Sequence, residues 1–172
     1  MVSDKMSISE ICDMLRSELF NNGYEYGFYL NGKKYKPDIS SGFDNEYYNL
    51  AKTIYRVQPT CVTIREKTGT CVDAVLVMKQ LLDECNVPSK IWLLYERTRN
   101  KVHTILTFAA EERIVYLELT PQSAKPWYGK ELIYQNEQEL LQEFSSDERE
   151  ITDVADQIVL GEQPEFLLAK LR

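Results

Sequence analysis

One imidazole and four thiols limit the covalent chemistry open to this chain. The cysteines stand at 12, 61, 71 and 85, and the single histidine is His103. Any histidine-dependent step must therefore run through His103. Among the thiols Cys71 stands apart. Gly69-Thr70 leads into it and an apolar helical repeat starts at it, so it falls in the first turn of a helix. Unpaired N–H groups and the positive end of the helix dipole stabilise a thiolate there, below the free-thiol value of about 8.5. The same N–H groups suit an oxyanion. A nucleophile of this kind still needs a base. No two cysteines form a CxxC pair, so neither a structural metal nor a cofactor is expected.

The base is sought on the strands that follow. Lys90 to Glu96, Val102 to Phe108 and Arg113 to Leu119 read as three strands. On the second, His103, Ile105 and Thr107 share a face; on the third, Tyr116 and Glu118 share one. If the two strands pair around Ala109 to Glu112, Phe108 faces Arg113 and His103 faces Glu118. Directly opposed side chains lie about 5 Å apart at Cβ. Glu118 then orients the imidazole and stabilises its protonated form. A slip of one residue would separate them. Thr120 and Gln122 are the alternative partners for the ring.

The elements that must position these groups are mostly helical before residue 86. A helix from Ser7 to Phe20 opens on a Ser7/Glu10 capping box and buries Ile8, Ile11, Cys12, Leu15 and Leu19. Asn22-Gly23 stops it. Tyr24 to Leu30 and Lys33 to Lys36 read as an aromatic hairpin around Asn31-Gly32, which core packing explains better than peptide binding. A second helix, Asp44 to Val57, turns Tyr47, Leu50, Ala51, Ile54 and Tyr55 inward and ends before Pro59. Cys71 to Cys85 is the strongest helix, with so broad an apolar face that it must be central. After the three strands come a turn-rich stretch from Thr120 to Lys130, a helix from Gln135 to Phe144, and one or two amphipathic helices between Ile151 and Leu171. Helices first and an antiparallel sheet after give an α+β layout. All of it reads as one domain over residues 1–172, with C-terminal helices at about 135–172.

The segments GTCVDAVLVMKQLL, VHTILTF and VYLELTP, in that order, resemble the transglutaminase-like superfamily of papain-like cysteine enzymes. The resemblance covers about residues 56–127. It implies a papain-like core in which a Gly-x-Cys starts a buried helix, a histidine starts the next strand but one, and an acid ends the strand after that. Carried over, Cys71 is the nucleophile, His103 the base and Glu118 the orienting acid, where the family usually has aspartate. The implied chemistry is acyl transfer: hydrolysis of an amide or ester with water as acceptor, or transamidation with an amine. Hydrolysis is the better expectation, since nothing in the sequence excludes water. The aromatic residues usual after the family histidine are replaced by Thr104-Ile105-Leu106, which leaves a non-catalytic binding module as an alternative. Gln58 and Thr70, which precede the cysteine, are candidate oxyanion or substrate contacts. Trp127, after the third strand, is a candidate cleft wall. Asp73 reads as a structural residue of the first helical turn.

Composition narrows the partners. With 27 acidic and 20 basic residues among 172, the net charge is -7. The footprint of a phosphate-tracking protein is missing, so neither nucleic acid nor an anionic membrane is expected as partner. A peptide, protein or small amide is. The acidic surplus favours neutral or cationic substrates. No apolar run approaches the roughly 18 residues of a membrane span. The first residues lack a signal-peptide core, so a cytosolic setting with reduced thiols is expected. A further class, an acidic regulatory or toxin-neutralising protein working through its C-terminal helices, fits the charge but leaves Cys71, His103 and Glu118 without a role.

Overall fold

The computed structural model describes residues 5–40, 42–121 and 125–172. Helix α1 (Ile8–Glu18) begins at the expected capping box: the Ser7 hydroxyl accepts the Glu10 N–H and the Glu10 carboxylate accepts the Ser7 N–H. A short 3-10 turn, Phe20–Asn22, and a left-handed Gly23 end it. The aromatic run then divides. Strand β1 (Glu25–Tyr26) leaves to pair elsewhere, and β2 (Phe28–Leu30) pairs with β3 (Lys33–Tyr35) around Asn31-Gly32, both at positive φ. Gly27 separates the two strands because a Cβ there would lie 2.3 Å from the Tyr35 carbonyl oxygen.

Helix α2 (Asn45–Ile54), capped by Asp44, is shorter than the expected Asp44–Val57. Leu50 is exposed on it rather than turned inward. After the irregular residues 55–58, Pro59 caps helix α3 (Thr60–Glu66), which had no sequence expectation. Strand β4 (Thr68–Gly69) pairs in parallel with β1, and helix α4 (Cys71–Glu84) follows directly. Cys85 caps α4 and is exposed, so it is not the last member of the buried stripe.

The rest is mainly sheet. Strands β5 (Ser89–Glu96), β6 (Lys101–Ala110) and β7 (Arg113–Leu117) lie close to expectation. Strand β8 (Glu131–Tyr134) precedes helix α5 (Glu137–Phe144). Where the tail was expected to be helical, β9 (Arg149–Asp153) comes first; helix α6 (Glu165–Leu171) closes the chain. The sheet order is β8-β7-β6-β5-β9, antiparallel throughout. This is an α+β fold, with the central helix α4 packed on the sheet and helices added at both termini.

Strand alternation sorts the core into two faces. Leu106 and Phe108 of β6, with Val115 and Leu117 of β7, pack under α1 and α4. Ile105, Tyr116, Trp92 and Tyr134 point the other way and meet Leu140 and Phe144 of α5. A third, aromatic cluster joins β2 to α2 through Phe28, Tyr47 and Tyr55, with Phe28 stacked on Tyr35 at 4.9 Å. Of the hairpin tyrosines, Tyr24 packs in the main core and Tyr26 and Tyr35 pack against this aromatic cluster, Tyr26 also lining a cleft.

The register differs from the symmetric expectation. β6 and β7 meet at a two-residue turn, Glu111-Glu112, both at positive φ, so Ala110 faces Arg113 and Thr107 faces Tyr116. Extending that register sets Thr120, not Glu118, opposite His103. The shift is two residues, and an even shift keeps every side chain on its face. Glu118 therefore remains on the His103 side of the sheet, one step along the diagonal.

Candidate active site

Cys71 is the first residue of α4, and the loop before it is fixed by buried hydrogen bonds. Thr70 and Asp73 form a capping box across the helix start. The Asp73 carboxylate accepts the Thr70 N–H at 2.8 Å, the Gln58 N–H at 2.9 Å and the Tyr55 hydroxyl at 2.9 Å. The Tyr24 hydroxyl donates to the Thr70 carbonyl. Burial pushes the Asp73 carboxyl up to about 6, against the pull of these donors. Gly69 sits in extended backbone, so its role is space rather than flexibility. A Cβ would lie 2.3 Å from the Tyr24 hydroxyl and 2.6 Å from Asp73 Cβ.

His103 lies near the start of β6. Strand β7 pairs only with Thr107–Ala110, which leaves the earlier part of that β6 edge uncovered. Helix α4 packs on β6 and brings the Cys71 sulfur against the imidazole. The other side of the ring is held by Glu118: His103 Nε2 and Glu118 Oε2 are 2.6 Å apart. With Nε2 taken, Nδ1 is the nitrogen left for the thiol. Glu118 is itself anchored. The Tyr116 hydroxyl donates to the same Oε2, the Thr120 N–H donates to Oε1 at 3.0 Å, and Lys125 Nζ stands 3.6 Å away.

The electrostatics follow from those contacts. Burial alone would raise the Glu118 carboxyl. The His103 charge and hydrogen bond, the Tyr116 hydroxyl and Lys125 reverse this and hold it at about 2. Burial alone would lower His103; the Glu118 carboxylate, with the Cys71 thiolate, raises it to about 9. For Cys71, burial raises the thiol. The His103 hydrogen bond and charge, then the Thr104 N–H and hydroxyl, bring it below the ordinary thiol value. The buried Thr104 hydroxyl makes no conventional hydrogen bond among the described residues and sits against this sulfur. All three shifts favour a thiolate facing an imidazolium.

Cys71 and His103 both open onto a cleft of about 680 Å³. Compared with solved structures, the chain is similar to Legionella pneumophila LapG. One structure of that protein aligns over 98% of this chain and 81% of the other at 16% identity and a TM-score of 0.46. Its EGTA-treated form gives 14% identity over the same shares and the same score. Its calcium-bound form gives 16% identity, covers 98% of this chain and 82% of the other, and scores 0.45. No family model matches the sequence, and neither does any curated protein.

The residues singled out in the sequence divide into two groups. Cys71, His103 and Glu118 are brought into contact, and Trp127 lines the cleft beside them. Gln58 is not turned toward the cleft. Its side-chain amide donates to the Thr63 hydroxyl and the Thr68 carbonyl, and its oxygen accepts the Tyr29 N–H, so no donor is left for an oxyanion. The Thr70 N–H and hydroxyl are likewise spent on Asp73 and Tyr55. Gln122 lies outside the described residues. Tyr116 and Thr104 were missed. Tyr116 stands two residues before Glu118 on the same face, which strand alternation signals. Thr104 had no sequence signal, because its role depends on an uncovered strand edge.

Proposed function

We propose that the protein is a cysteine-nucleophile hydrolase that cleaves an amide or ester through an acyl-enzyme on Cys71. One observation carries this reading: a single imidazole meets the Cys71 sulfur on one side and the buried Glu118 carboxylate, at 2.6 Å, on the other. The Cys71 thiolate attacks the substrate carbonyl carbon, forming the C–S bond and an oxyanion. N–H groups in the first turn of α4, its own included, have no intrahelical acceptor and can hold that oxygen. The His103 imidazolium passes its proton to the leaving amine or alcohol as the bond to carbon breaks. Neutral His103 then takes a proton from water, which attacks the thioester. The acid leaves, and the thiolate–imidazolium pair is restored. Glu118 keeps the ring oriented in both directions. No metal or cofactor is needed. The thiol must stay reduced, as it would in the cytosol.

The test is the alkylation rate of each cysteine by iodoacetamide from pH 5 to 9, read by peptide mass spectrometry, in the wild type and His103→Ala. Cys71 should react fast below pH 7 and lose that advantage without the imidazole. Cys12 supplies the contrast, a thiol that burial pushes up to about 11. If Cys71 behaves like Cys12, or if His103→Ala changes nothing, the hydrolase reading is wrong.

A further inference from the structure

The acidic surplus of the whole chain favours neutral or cationic substrates, and the cleft reverses it. Five cationic side chains line the cleft (Lys52, Arg99, Lys101, Lys125 and Arg149) against two carboxylates, Glu96 and Glu150. Both carboxylates are already neutralised. Glu96 pairs with Arg99 at 3.4 Å; Glu150 pairs with Arg97 and Lys170, each at 3.0 Å. Lys52, Lys101 and Arg149 have no ion-pair partner among the described residues. In a chain with seven more acidic than basic residues, unpaired cations gathered at one opening are not what an even surface would give.

Sheet register fixes where they stand. Lys101, Glu96 and Arg149 form one cross-strand row over β6, β5 and β9, and His103, Leu94 and Ile151 form the next row on the same face. Lys101 is thus about 7 Å along the strand from His103, and Arg149 is about 10 Å across the sheet from Lys101. Lys125 lies on the far side of the ring, near Glu118. Lys52 faces them from α2, where an exposed Phe43 stacks on Tyr48 with ring centroids 4.4 Å apart. The charges therefore line the cleft that Cys71 opens onto, at separations that span several residues of an extended chain, more than one small carboxylate would fill.

We infer that the cleft takes an acidic segment of polypeptide, with aspartate or glutamate side chains flanking the bond presented to Cys71. This deepens the hydrolase reading and rests on it for the fate of the bound segment. The cationic lining attracts carboxylates whether or not the thiol turns over, and the attraction is screened by salt.

The test uses the full chain carrying Cys71→Ala, which binds without turnover. Two pools of random peptides carry a neutral fluorophore, with four positions fixed as Glu in one and as Lys in the other. Binding is read by anisotropy at 50 mM and 500 mM salt. The Glu pool should bind at least tenfold tighter at low salt. That advantage should collapse at high salt and in the added pair Lys101→Glu and Arg149→Glu, whose fold is checked by circular dichroism. Equal affinities, preference for the Lys pool, or no binding by either pool overturns the inference. A second measurement uses the intact thiol. The ratio of iodoacetate to iodoacetamide alkylation should be at least fivefold higher at Cys71 than at exposed Cys61, and a ratio no higher than at Cys61 also overturns it. Because the binding assay lacks Cys71, its failure is separable from failure of the hydrolase reading, which shows as a buried-thiol pH profile with iodoacetamide.

Discussion

At the scale of single residues, the length of the acid matters. Glu118 does not face His103 directly; it reaches the ring along the diagonal of the β6–β7 pair, where only a long side chain spans the gap. An aspartate here would stop one methylene short of a contact that now measures 2.6 Å. Glu118→Asp is therefore expected to behave as a loss. A hydrogen bond between charged groups contributes about 1.5–3 kcal/mol, or roughly ten- to a hundredfold in the thiolate population at a given pH. The pH profile of Cys71 alkylation should move up by about one to two units. A profile that overlies the wild type would show that the diagonal contact does not support the imidazolium. Cys71, His103 and Glu118 were legible in the sequence because one histidine left little choice and strand alternation put the acid on its face. Gln58 and Thr70 were misread because sequence position does not reveal which polar groups the interior needs. Beneath α4 it needed both, to satisfy the backbone of a buried loop.

At the scale of elements, the β6–β7 turn decides what that diagonal is. Two-residue hairpins favour Asn-Gly because both positions take positive φ. Here they are Glu111 and Glu112, at φ 50° and 57°. With no turn signature to read, symmetry suggested a four-residue loop, and the register came out two residues off. The even error preserved the site. Glu112 is exposed and makes no side-chain hydrogen bond among the described residues, so Glu112→Gly should relieve strain at little cost. A gain of about 1 kcal/mol is expected, seen as a rise of roughly 2–4 °C in Tm. An unchanged or lower Tm would mean that the turn is not strained by its side chains. β9 escaped the sequence reading for a related reason. Ile151, Val154 and Ile158 mimic helical spacing, while its charged residues mark an edge strand only once a neighbour is known. Helix α3 and strand β8 are too short to show a period. The long, strongly patterned α1, α4, β5 and β6 were legible because burial of one face dictates their apolar spacing.

At the scale of the whole molecule, the shared proton has a consequence for stability. In the unfolded chain between about pH 6.5 and 8.5, histidine has released its proton and the cysteine keeps its own. The thiolate–imidazolium pair of the proposed mechanism holds one proton too, on the imidazole, in keeping with a His103 raised to about 9 and a lowered Cys71. Equal proton counts give no slope of stability with pH, although both groups are shifted. Cys71→Ala breaks that balance. Its unfolded state carries no proton in this window, while Glu118 still keeps His103 charged in the fold. A raised histidine contributes stability that is complete below pH 6.5 and lost as pH rises through the folded value. Relative to the wild type, the variant should therefore lose up to about 1.4 kcal/mol per pH unit above 6.5. The window should close before pH 9, since removing the thiolate lowers His103 somewhat. Glu118 contributes nothing to the difference: held at about 2, its contribution is lost only as pH falls below 4.5. Urea unfolding of both proteins at pH 6, 7, 8 and 8.5 measures this, with every other group common to the two. Parallel curves would mean that no proton passes from sulfur to nitrogen on folding, and the thiolate–imidazolium pair would fall with them.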